Sequence, residues 1–292
     1  MADPLDLAML AAQKLVIKEL KIEALPIDPF KIARDREIVV EPMDKSSQGV
    51  SGMLLRVGNN FAIAYATYTE SEGFERFSVG HELGHYFLPG HVDAVVPNNG
   101  QPHESRCGFI SGNKYELEAD HFSAGLLMPA PLFRKELAKA GDGLGAVEVL
   151  AGKCLTSLTA TAIRYKQLTD DPVAIVQSIG DRIEFCLLSD KMKELRLERW
   201  PIKGDKLPRS SVTLRLNQDP GRVARADKMD GRSDTSEWFS DRHDRELFEE
   251  VIGLGRYGRT LSVLTVTGNV PDDDEPDEDS ELEESWTPRF RR

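Results

Sequence analysis

Cysteine is scarce in this chain: Cys107, Cys154 and Cys186 are the three among 292 residues, far apart and without CxxC spacing. That excludes a disulfide framework and a thiolate zinc site, and it fits a reducing, cytoplasmic setting. Long apolar runs are missing as well. No stretch reaches the roughly 18 apolar residues that a bilayer span needs, so no membrane partner is expected. The N-terminus carries Asp3 and Asp6 where an export signal carries Lys or Arg. Basic charge is short too: 37 Lys and Arg stand against 49 Asp and Glu, a net −12, which argues against nucleic acid as the main partner. The deficit is local, however. Residues 271–292 hold ten acids and three arginines, so the rest of the chain carries only −5. A run in which ten of the thirteen residues from Asp272 to Glu284 are acidic repels itself and buries too little apolar surface to fold. A disordered acidic tail is expected over 271–292. The whole chain is still 40% hydrophobic and 29% charged, which suits a core-forming protein of one large domain or a few small ones.

Periodicity sketches the elements. Leu7, Leu10, Ala11, Leu15, Ile17 and Leu20 recur near helical spacing between residues 4 and 22, and a second short helix begins at Ile32-Ala33. Residues 37–42, 52–57 and 61–65 read as strands. Helices are expected over 74–88, 114–128 and 130–140, then a close pair over 144–152 and 156–168. Beyond Asp170-Asp171-Pro172 the pattern turns to strands at 173–179, 183–188, 212–216 and 261–267, with a helix at 244–252. That shift places a boundary near residue 170.

The chemistry concentrates in His81-Glu82-Leu83-Gly84-His85, an HExxH pattern. Residues four apart on a helix sit one turn above each other, so the imidazoles of His81 and His85 can grip one ion from the same side. Glu82 is turned by about 100° from His81, beside the ion rather than under it. A carboxylate placed there can take a proton from water that the ion has made acidic. The competing reading is a core helix with two hydrogen-bonded histidines. Gly84 speaks against it, because a helical glycine costs about 1 kcal/mol relative to alanine and so points to a close neighbour.

A catalytic zinc needs a third protein ligand, and two candidates follow. His91 lies ten residues after His81, the metzincin spacing, but Leu88 occupies the place of the glycine at which that motif turns, and Pro89-Gly90 supplies a turn two residues late. Glu116 shares a helical face with Asp120, whereas Glu118 points elsewhere. Of such a pair, one carboxylate can ligate the ion and the other, one turn on, can orient an imidazole by bonding its far nitrogen. The competing reading, a solvated acidic face, sits poorly on a helix as apolar as Ala119 to Met128. Two imidazoles and one carboxylate bind several divalent ions, so Mn2+ or Fe2+ could stand in for Zn2+. His103 and His121 are candidate oxyanion donors, although a lone histidine is more often a surface or capping residue. Cys107 reads as an idle thiol.

Three blocks taken together resemble the ImmA/IrrE metallo-endopeptidases. They are Leu25-Pro26-Ile27-Asp28-Pro29-Phe30-Lys31-Ile32-Ala33, Phe77-Ser78-Val79-Gly80-His81-Glu82-Leu83-Gly84-His85, and the run from Glu116 to Pro129. Asp120 stands where the family often has Asn. The resemblance implies His81, His85 and Glu116 as zinc ligands and Glu82 as catalytic base. It also implies a substrate, a helix-turn-helix transcriptional repressor whose cleavage releases stress or mobile-element genes.

The expected fold is α+β. A zincin-like, gluzincin-type metallopeptidase domain spans 1–140, a helix-turn-helix-like helical segment 141–170, and a C-terminal mixed strand and helix domain 171–270, ahead of the tail. Phe61–Tyr65 is a candidate edge strand for an extended substrate, against an ordinary core strand. The helix pair carries Lys153, Arg164 and Lys166 against Asp142 and Glu148, too weak a charge for an operator-binding footprint. Residues 172–268 do not match the GAF-like sensor of longer family members. Trp238-Phe239 and Gly255-Arg256-Tyr257-Gly258-Arg259 are candidates for a recognition surface there, a hydrophobic core being the plainer reading. A zinc-containing regulator that removes a repressor without cutting it, and a DNA-binding regulator, are the alternatives.

Overall fold

The structure, a computed structural model, describes residues 3–44, 49–69, 71–96, 100–106 and 112–267. Cys107 and the expected tail lie outside them. Helix α1 (Pro4–Lys14) opens where the Asp3 side chain accepts from the Leu5 N–H and proline takes the first helical position, where its missing N–H costs nothing. A π-helical turn, Leu15–Glu19, extends it. Asp28 and Pro29 open α2 (Pro29–Asp35) in the same way. Strands β1 (Val39–Pro42), β2 (Gly52–Val57) and β3 (Asn60–Tyr65) precede α3 (Glu72–Phe87), the short α4 (His91–Val95), β4 (His103–Ser105) and α5 (Lys114–Leu127).

The four strands lie in the order β1-β3-β2-β4, with β1 parallel to β3 and the other pairs antiparallel. Strand β3 is therefore interior and paired on both sides, which decides Phe61–Tyr65 in favour of an ordinary core strand over an edge strand. The edges are β1 and β4. One apolar core joins Leu54 and Ile63 of this sheet to Val79 and Leu83 of α3, Phe122 and Leu126 of α5, and Ala12 and Val16 at the N-terminus.

Next come α6 (Ala130–Ala140), α7 (Gly143–Cys154) and α8 (Leu158–Leu168). The last two are bent by 112° around Leu155, whose φ is 53, the geometry of a helix-turn-helix pair. Strands β5 (Val173–Ile179) and β6 (Arg182–Leu188) follow, then α9 (Asp190–Glu194), α10 (Val212–Asn217), α11 (Pro220–Ala224), β7 (Lys228–Asp234), α12 (Thr235–Phe239), β8 (Glu246–Gly253) and β9 (Thr260–Val266). Their antiparallel sheet has the order β6-β5-β9-β8-β7. Alternation along β5 covers both faces: Val173 and Ile175 pack with Val147, Leu150 and Tyr165 of the helix pair, while Ala174 and Val176 pack with Met192, Trp238 and Phe239. Trp238 and Phe239 are thus core residues, whereas Tyr257 is exposed. No single helix among the described residues is long and apolar enough to cross a membrane.

Two expected elements are exchanged. Residues 212–216 form the helix α10, not a strand: Ser211 caps it by accepting from the Leu214 N–H, and the Glu249 carboxylate accepts from the backbone and hydroxyl of Thr213. Residues 246–253 form the strand β8, not a helix. Its glutamates suit a helix, but Leu247, Glu249 and Val251 alternate inward between the two neighbouring strands. Tertiary pairing overrides local propensity at both places.

Candidate metal centre

Helix α3 is capped by Ser71, which accepts from the Phe74 N–H, and α5 by Asn113, which accepts from the Tyr115 N–H. Each cap sets the phase of its helix. The two helices then approach closely through glycines. A Cβ on Gly84 would lie 3.1 Å from Ala119 Cα, and one on Gly80 would lie 2.5 Å from Ser123 Oγ. This closeness is what Gly84 is for, as the sequence suggested.

The approach brings together the residues named from the sequence. His81 and His85 of α3 are fully buried, and Glu116 of α5 is 6% exposed. The Nε2 atoms of the two histidines are 3.0 Å apart; Glu116 Oε2 lies 3.4 Å from His81 and Oε1 3.3 Å from His85. Ligand atoms of all three residues fall within 4.8 Å of one another. Asp120 Oδ1 accepts from His81 Nδ1 at 2.8 Å, so the Nε2 of the neutral ring carries the lone pair. Burial pushes His85 down to about 4, which disfavours a proton as the group between the rings. Burial alone would raise the Glu116 carboxyl, but the imidazoles of His103, His81 and His85 outweigh it and hold it well below the usual carboxylate range. Two neutral imidazoles facing an anionic carboxylate in a water-poor place suit a divalent cation.

Glu82 is fully buried, and neither of its carboxylate oxygens has a hydrogen-bond partner. Burial raises its carboxyl to about 7, against the opposing influence of His81, Ser105 and His103. Gly52 of β2 makes room for it: a Cβ there would sit 2.4 Å from Glu82 Oε1. A buried carboxylate without a partner is costly unless it serves a function.

His91 does not join the ligand atoms. The turn at Gly90, φ 77, starts α4 so that His91 meets the far side of His85, Nδ1 to Nδ1 at 3.2 Å. Glu118 accepts from His91 Nε2 at 2.8 Å. His103, weighed from the sequence as an oxyanion donor, enters the site against the ligand carboxylate: its Nε2 lies 2.8 Å from Glu116 Oε1. A three-residue strand leaves too little pattern to place it. His121 sits on another face of α5, where burial holds its imidazole below the ordinary value against the pull of Asp120, Asp6 and Asp3. A cavity of about 210 Å³ lined by His103, Glu104, Arg106, Asn113 and Glu116 lies beside the cluster.

An HExxH helix packed under a mixed sheet, with a carboxylate from the next long helix as the third donor, defines a zincin-like metallopeptidase domain of the gluzincin type. Residues 33–150 match the model of the peptidase M78 family, the IrrE N-terminal-like domain, so this part of the chain carries a domain of that family, in line with the resemblance read from the motifs. No curated protein matches the chain in sequence. Among solved structures, a Mycobacterium tuberculosis transcriptional regulator is similar with a TM-score of 0.55 at 13% identity, over 89% of this chain and 76% of that one. That likeness concerns the fold.

Proposed function

We propose that the chain is a zinc-dependent endopeptidase that cleaves a helix-turn-helix transcriptional repressor and so releases stress or mobile-element genes. The observation that carries this reading is the buried, unpartnered carboxylate of Glu82 beside the His81, His85 and Glu116 donor set. His81, His85 and Glu116 would hold a zinc ion, which would supply Lewis acidity for activating water and polarising the scissile carbonyl. Glu82, buried beside that donor set, takes the proton of the attacking water and returns it to the leaving amine. His103 lies on the edge strand β4, which among the described residues pairs with β2 alone. An extended peptide added along the side of β4 away from β2 would run past Glu116 and Glu82, with His103 Nε2 held on Glu116 Oε1 at 2.8 Å.

A regulator that acts without cutting is the second reading, favoured by the likeness in fold to a transcriptional regulator. Direct operator binding is less well supported, because Gln167 is the single exposed residue of α8, whose other positions are buried or half-buried. Glu82→Gln separates the first two readings. In cells co-expressing a candidate repressor, the variant should keep its zinc and lose cleavage by about 10²–10⁴-fold. Undiminished cleavage would overturn the proteolytic role, and relief of repression without cleavage would favour the second reading.

A further inference from the structure

We propose that Glu118 and His91 form a hydrogen-bonded relay that fixes the tautomer of His85 and so aims its Nε2 lone pair at the metal. This rests on the metal-site reading above. The argument is one of counting protons. A carboxylate only accepts, so the 2.8 Å contact between Glu118 Oε2 and His91 Nε2 places a hydrogen on that nitrogen. A neutral imidazole has one N–H, which leaves His91 Nδ1 as an acceptor. His85 Nδ1 lies 3.2 Å from it and must donate. His85 Nε2 is then the lone-pair nitrogen, and it faces His81 Nε2 at 3.0 Å and Glu116 Oε1 at 3.3 Å.

The two ligands are thus held by different devices. Asp120 grips His81 directly at 2.8 Å, whereas Glu118 acts on His85 through a second ring. Geometry on α5 requires the difference. Glu118 is turned by about 200° from Glu116, so it cannot reach the ligand side of the helix, and an intervening imidazole spans the gap. His91 is itself built into place: it is 1% exposed, follows the turn at Gly90, and packs edge-on against the Tyr115 ring at 5.0 Å. Without it, His85 could take the tautomer whose Nε2–H points at the metal position. His91 is a positioning residue, not a ligand.

The test uses full-length protein. Imidazole ¹⁵N spectra of metal-free protein, with His85 assigned from the signals lost in His85→Ala, should show His85 protonated at Nδ1 in the wild type and mixed in His91→Ala. Zinc affinity, read by chelator competition, should fall by about 10–100-fold in His91→Ala and Glu118→Ala. His91→Gln keeps a carbonyl acceptor for His85 Nδ1–H and should regain most of the loss. A wild-type His85 protonated at Nε2 overturns the relay whether or not the variants fold. So does unchanged affinity in His91→Ala, or a Co2+ spectrum that changes in His91→Ala and is not restored by His91→Gln, the signature of a direct ligand. Wild-type protein that binds no zinc but holds His85 as Nδ1–H supports the relay and overturns the metal reading instead.

Discussion

Gly84→Ala separates the role of a glycine in packing from its role in helix propensity. In an ordinary exposed helix this change stabilises by about 1 kcal/mol. Here the new Cβ meets Ala119 Cα at 3.1 Å, Ala119 O at 3.2 Å and Phe122 Cβ at 3.2 Å. Two of these atoms are backbone, so no flexible side chain can swing aside. Restoring contacts of about 3.5–4.0 Å moves α5 away from α3 by a few tenths of an ångström. Overpacking of this kind costs about 1–3 kcal/mol, and the propensity gain offsets part of it, leaving a net loss of about 0–2 kcal/mol. At about 2–4 °C per kcal/mol for a chain of this size, the metal-free protein should melt roughly 0–8 °C lower. The larger effect falls on the site. Glu116 and Asp120 ride on α5, so the same shift stretches the 3.3 and 3.4 Å approaches to His85 and His81 and the 2.8 Å bond from His81 to Asp120. Zinc affinity should drop by about tenfold or more. Thermal unfolding and chelator competition on the same sample read both quantities. A raised melting temperature with unchanged affinity would refute the packing argument.

Asp120→Ala should leave the fold in place but weaken zinc binding by about 10–100-fold, because His81 loses the partner that sets its tautomer; competition titration measures it, and unchanged binding would remove Asp120 from the site. Asp241 predicts an acid limb of stability. Burial opposes its ionised form, but the Thr235 hydroxyl, the His243 amide and Arg245 outweigh it and hold the carboxyl below its ordinary value. A depressed folded value means the contribution is present above the unfolded value of about 3.9 and lost as pH falls through the folded one. Urea midpoints of Asp241→Asn should therefore decline less steeply than wild type from about pH 5 to pH 3, and an equal decline would show that Asp241 carries no share.

The two helices that bear the site were legible because helical spacing, apolar stripes and i, i+4 pairs are local properties. His81, Glu82 and His85 followed from one turn of helix, and Glu116 with Asp120 from another. The choice between Glu116 and His91 was not local. It depends on the left-handed turn at Gly90 and on Tyr115, which place His91 behind His85 rather than beside it. His103 was weighed as an oxyanion donor, but its contact with Glu116 was not legible because β4 has three residues and draws its register from β2. The exchange of helix and strand at Val212 and Glu246 has a related origin. Val-Thr-Leu-Arg-Leu alternates like a strand, yet Ser211 and Glu249 supply the hydrogen bonds that start a helix there. The glutamates of β8 suit a helix, yet Phe248 and Val251 lie between two strands that pair with both of their sides. Pattern reports which face of an element is apolar; neighbours decide what the element is.

The central claim is that His81, His85 and Glu116 form one metal centre with Glu82 poised beside it. Zinc titration of the metal-free chain, with Glu116→Ala and Glu82→Gln in parallel, tests it most directly. The account predicts a single tight zinc ion in the wild type, its retention in Glu82→Gln and its loss in Glu116→Ala. Equal binding by the wild type and Glu116→Ala, or loss of zinc from Glu82→Gln, would contradict it.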